Sequence, residues 1–92
     1  MPYIQQGDRD LFDKYLNRLF EEYGSVISAG QLNYILTHIC QQWLAHRSMS
    51  ERVGYADYAT VVAALECAKL EFVRRVLTPY EDTKIVDNGD VY

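Results

Sequence analysis

The sequence predicts an all-α fold: three main helices, a short C-terminal helix and extended termini, packed as a small helical bundle. Three observations predict it. Apolar residues recur at helical spacing in three separate segments. Ser28 and Gln31 form a Ser-x-x-Gln capping box, a specific helix start. Glycine and proline fall at the edges of the periodic segments, at Gly24, Gly54, Pro79 and Gly89.

The first helix is expected to open at Asp8, whose carboxylate can accept from unpaired amides of the first turn. Phe12, Tyr15, Leu16, Leu19, Phe20 and Tyr23 then share one face. Gly24 is expected to end this helix in the left-handed conformation. The second helix follows Ser28 and carries the stripe Leu32, Ile35, Leu36, Ile39, Cys40 and Trp43, with Tyr34, His38, Gln41 and Gln42 opposite. Residues 48–54 form a polar connection. The third helix spans Tyr55 to Leu77, with Tyr58, Val61, Val62, Leu65, Phe72, Val73 and Val76 as its stripe. After it, Thr78, Pro79 and Glu81 have the pattern of a capping residue, a first-turn proline and a capping-box partner. A fourth helix from Pro79 to about Asp87 is expected, with one long helix kinked at Pro79 as the rival reading. Asn88-Gly89 ends it or makes a tight turn. Asp90-Val91-Tyr92 is expected to be extended, with Pro2-Tyr3-Ile4 as a candidate neighbour.

Ninety-two residues make one domain, 1–92, and a chain this short buries only about 60–65% of its unfolded surface. Oligomerisation is an ordinary way to make up the difference. The net charge of −4 lacks the basic surplus that general DNA or RNA binding requires. No apolar run approaches the roughly 18 residues of a membrane span, and residues 1–10 are too polar for a signal peptide. A cytoplasmic setting is therefore expected. Cys40 and Cys67 lack zinc-finger spacing and read as small apolar residues in a reducing compartment. Eight tyrosines suit half-buried sites and interfaces.

One residue conflicts with its surroundings. With Tyr58 at zero on the third helix, Lys69 falls at roughly 20°, inside the apolar stripe, and Glu66 at about 80°, within reach of it. A buried ammonium is costly unless paired. Lys69 can snorkel to water, pair with Glu66 or a neighbouring helix, or point into a polar pocket that takes an anion. Arg74 and Arg75 complement the helix C-terminus, and Glu71 is placed to pair with them. Two guanidiniums near Tyr80 also form a set that can hold a phosphate and stack a base. The angles of these residues are spread so widely that one pocket using them all needs two chains or a fold-back after Pro79.

Catalytic patterns are absent. There is no Gly-rich phosphate loop and no nucleophile elbow. His38 and His46 lie eight apart without a nearby acid, which argues against a metal. Small α-helical Mg²⁺-dependent nucleotide pyrophosphohydrolases cluster carboxylates on one helix face. Here Glu66 and Glu71 diverge by about 140°, so that reading is the weakest.

Met-Pro-Tyr-Ile at the start, Gly30-Gln31-Leu32-Asn33-Tyr34-Ile35, Leu65-Glu66-Cys67-Ala68-Lys69-Leu70-Glu71-Phe72-Val73-Arg74-Arg75, Pro79-Tyr80-Glu81-Asp82 and Asn88-Gly89-Asp90-Val91-Tyr92 resemble a family of small uncharacterised proteins of bacteriophage and other prokaryotic genomes. The resemblance spans nearly the whole chain and carries no activity with it. It implies a host-cytoplasmic binding protein and, by analogy with phage proteins that counter host defence, one that sequesters a nucleotide signal. The expectation is thus a non-enzymatic homo-oligomer without cofactor or metal. Its partners would be another copy of itself and a phosphate-bearing nucleotide held by Lys69, Arg74, Arg75 and Tyr80 with Glu66 alongside. An inhibitor or adaptor docking on a host protein through tyrosines is the alternative.

Overall fold

The computed structural model describes residues 2–92 and is all-α, with 81% of the chain helical and no strand among the described residues. The elements are α1 (Gln6–Tyr23), a 3₁₀ turn (Gly24–Val26), α2 (Ala29–Arg47), α3 (Tyr55–Phe72), a π-helical turn (Val73–Leu77) and α4 (Thr78–Asn88). The chain forms two compact units: Tyr3–Ala59, and Thr60–Tyr92 together with Pro2.

In the first unit, α1 begins two residues before Asp8. Gln5 is its N-cap, with no side-chain cap bond. Asp8 instead lies in the first turn, where its charge meets the positive end of the helix dipole. The start is held by Arg9 Nε donating to the Ile4 carbonyl at 2.7 Å and by Gln6 Nε2 donating to Asp10 Oδ1 at 2.9 Å. Gly24 does not take a left-handed conformation. Its φ is −54°, and the chain runs on into the 3₁₀ turn. A Cβ at Gly24 would meet the Phe20 side chain at 3.4 Å, an ordinary contact, so neither backbone nor space requires glycine here.

The capping box at α2 forms as expected. The Gln31 amide donates to Ser28 Oγ at 3.2 Å, and the Ser28 amide donates to Gln31 Oε1 at 2.9 Å. Between the two helices, Leu19, Tyr23, Val26, Ile27, Gln31 and Ile35 line a shallow apolar corner. Leu19, Ile27 and Ile35 are half-buried there.

In the second unit, no capping box forms at Thr78. Thr78 is helical, with φ −60° and ψ −48°, and its amide donates to the Val73 carbonyl, five residues back. The helical backbone therefore continues from α3 into α4 rather than restarting at Pro79. The reason is local: Pro79 has no N–H to give the Arg75 carbonyl, and its ring crowds that carbonyl. A single wide turn relieves the clash and keeps the remaining amides paired. Gly89 ends α4 with φ +89°, its amide donating to the Ile85 carbonyl at 2.8 Å. Asp90–Tyr92 carries no regular structure and lies by Glu81, Lys84 and Ile85 of α4, while Pro2 lies by Cys67 and Leu70 of α3.

No described residue is buried. The stripes that periodicity marked as core are in place on their helices, yet Leu32, Leu36, Ile39 and Trp43 on α2, and Tyr58, Val62, Leu65 and Phe72 on α3, are all exposed. α3 also carries Ala63, Ala64, Cys67, Ala68 and Leu70 off that stripe, so it is apolar on every side. Helices of that kind are normally buried.

Candidate functional site

The side chains expected to form the site all lie on the helical run from α3 to α4. Lys69 is not buried. Its side chain is 65% exposed, and its ammonium stands 3.4 Å from the Glu66 carboxylate, one turn earlier. The apparent conflict disappears because the stripe around Lys69 is itself uncovered. Glu71 is half-buried and makes a two-pronged pair with Arg74, including Arg74 Nη2 to Glu71 Oε2 at 3.0 Å. Arg75, next in the chain, is exposed and forms no ion pair among the described residues. Both arginines sit on the π turn, whose extra residue rotates everything after it relative to α3. Tyr80 follows on α4, with the Lys84 ammonium 5.4 Å above its ring.

The structure therefore brings together Lys69 with Glu66, Arg74 with Glu71, and Tyr80 with Lys84. These are three separate surface pairs. Each is a helix neighbour of the (i, i+3) or (i, i+4) kind, worth a few tenths of a kcal/mol in an exposed position. An anion bound at these residues would take the place of the carboxylates of Glu66 and Glu71.

Sequence reasoning missed a second cluster, in the other unit, where α2 hands over to α3. Asp57, in the first turn of α3, accepts from the Gly54 amide at 3.1 Å through Oδ2 and from Arg47 Nε through Oδ1. Arg47 also reaches Glu51 at 3.6 Å and lies over the Trp43 ring, 5.3 Å from its centroid. The Gly54 amide, with Arg47 second, holds the Asp57 carboxyl below its usual range; the bond to Asp57 and the charge of Glu51 raise Arg47. The signal was present: Asp57 stands three residues after Gly54, the spacing of a capping box without its first hydroxyl. The clasp fixes the 48–54 connection.

A pH dependence follows. The folded pKa of Asp57 lies below its unfolded value of about 3.9, so its contribution is complete above that pH and is lost as pH falls through the folded value. Thermal midpoints of wild type and Asp57→Asn are expected to differ at pH 7 and to converge below about pH 3.9. A gap that stays constant from neutral to acid pH would rule the clasp out as a pH-dependent contribution.

Elsewhere, His38 stacks on Tyr34 with ring centroids 5.8 Å apart. No group of three or more His, Cys, Asp or Glu residues able to hold a metal occurs among the described residues. Cys40 and Cys67 are free thiols. No described helix is long and apolar enough to cross a membrane.

No curated protein and no solved structure matches the chain. A family model matches residues 1–91, almost the full length over which the motifs of α2, α3 and the C-terminus run. The chain belongs to that family, described as a domain of unknown function (DUF6899).

Proposed function

We propose that this protein is a non-enzymatic binding protein that works as a homo-oligomer, its helices completing their core on another copy of the chain. One observation carries the reading: α3 is apolar on all sides and none of its residues is buried. Exposed apolar patches beyond a few hundred Å² mark interaction surfaces. Enzymes place reacting groups in a water-excluding cleft with perturbed acids or bases. Here the α3 carboxylates Glu66 and Glu71 are spent on helix-neighbour ion pairs, and Asp57 on Arg47 and the Gly54 amide.

The ligand of the oligomer, on this reading, is a phosphate-bearing nucleotide, and sequestering such a signal during phage infection is the corresponding role. Support for this comes from Arg75, exposed beside the Arg74–Glu71 pair and five residues before Tyr80. Guanidiniums bind phosphate in two-pronged fashion, and a tyrosine ring offers a stacking face. Titration calorimetry of the wild-type protein against a panel of cyclic dinucleotides and ADP-ribose derivatives is expected to give binding heat with at least one. Arg75→Ala is expected to weaken it by about 1.5–3 kcal/mol, the usual worth of a charge-assisted hydrogen bond. No heat from any member of the panel would remove the nucleotide from the reading. A monomer by light scattering would remove the oligomer.

A further inference from the structure

The second unit presents a seam along α3. Val62, Leu65, Lys69 and Phe72 are spaced by three, four and three residues, the a and d positions of a heptad, and in sequence the pattern runs back to Tyr58. Val62 and Lys69 take the a positions, and Leu65 and Phe72 the d positions. All four are exposed on one face of the helix. A single Lys at an a position sets register at some cost in stability. Glu66 occupies the flanking e position, 3.4 Å from Lys69.

We infer that the occupant of this seam is α3 of a second copy, running antiparallel, with Lys69 of each chain facing Glu66 of the other. This rests on the self-association proposed above and adds where and how it occurs. Orientation follows from charge. A parallel pair in register would set Lys69 against Lys69, like charge on like in a desolvated seam. An antiparallel pair centred near residue 67 sets Lys69 opposite Leu65 and beside Glu66 of the second copy. The one Lys69–Glu66 pair within each chain is exchanged for two pairs between the chains, and no ammonium is left unpaired. Lys69 then acts as a register pin. The seam ends at the π turn, where the extra residue carries the following side chains off the heptad.

Charge exchange in trans tests the inference. Glu66→Lys puts four cations at the centre of the pair, and Lys69→Glu puts four anions there. Each variant alone is expected to lose the dimer, by native mass spectrometry and sedimentation, at concentrations where the wild type holds it. Mixing the two variants is expected to restore a heterodimer with the helix content of the wild type. Persistence of the dimer in either single variant, or failure of the mixture to pair, would overturn the seam while leaving self-association through another surface intact. A wild-type chain that is monomeric would overturn both. For orientation, in a background of Cys40→Ser and Cys67→Ser, Leu65→Cys is expected to form a disulfide with a chain carrying Lys69→Cys and to cross-link poorly to itself. Ready self-cross-linking at position 65 would overturn the antiparallel arrangement.

Discussion

Dilution is expected to unfold this protein. In a folded monomer, the thermal midpoint does not depend on concentration, because folding and unfolding involve the same single chain. Here the apolar faces of α2 and α3 have no cover within their own units, and most helical stability in proteins comes from packing of such a face. On the proposed self-association, binding of a second copy supplies much of the free energy of folding, and stability follows mass action. Each tenfold rise in concentration adds about 1.4 kcal/mol per dimer. With about 2.1 cal/mol/K per residue for the unfolding entropy, two chains unfolding together shift their midpoint by roughly 3–4 °C per tenfold step. Circular dichroism melts from about 1 to about 100 µM would therefore move by roughly 7 °C. A midpoint that stays fixed over that range would mean that the folded state is a monomer.

Pro79→Ala is expected to stabilise the protein, although most changes of a buried or constrained residue do the opposite. Proline in a helix interior removes one hydrogen bond and strains the turn before it, at a cost of about 3 kcal/mol in the general case. The π turn at Val73–Leu77 has already absorbed part of this, since Thr78 bonds to Val73 instead of Arg74. Alanine would restore a donor for the Arg75 carbonyl and allow regular α geometry through α4. A gain of about 1–2 kcal/mol remains after that partial relief. The measurement is chemical denaturation at one fixed protein concentration. A loss of stability would show that the wide turn is required, with Arg74, Arg75 and Tyr80 held in their present directions by it. The same variant should weaken any ligand that uses those three residues while leaving the α3 seam untouched.

Much of the fold was legible in the sequence. The capping box at Ser28 and the glycine at Gly89 act through bonds to their own neighbours, so their residue types suffice to announce them. The failures occurred where a second cause competed. Asp8 is as good in a first turn as at an N-cap, so its type did not fix the boundary at Gln6. Gly24 reads as a left-handed stop, but its φ is −54° and the backbone runs on into a 3₁₀ turn, a conformation open to other residues as well. Thr78, Pro79 and Glu81 satisfy a helix-start pattern, and continuity of hydrogen bonding through the π turn overrides it. The candidate site was legible only as a set of residue types. Periodicity placed Lys69 beside Glu66, and the structure has them paired. What periodicity does not carry is whether a stripe has anything lying on it, and so it mistook an uncovered face for a core. The Arg47–Asp57 clasp joins residues ten apart across a connection, beyond the reach of helical spacing.

The uncovered stripes have a consequence for the life of the molecule in a cell. A newly made chain with no partner presents its apolar helix faces to chaperones and proteases, which act on open states. On the proposed pairing, most copies at low expression would meet a protease before they meet each other; above a threshold set by the dimer affinity, they would protect one another and accumulate. Gene dosage would then act as an on–off control. A twofold change in synthesis near the threshold would change the standing amount by far more than twofold, and a co-expressed seam fragment of α3 would be enough to shift where that threshold lies.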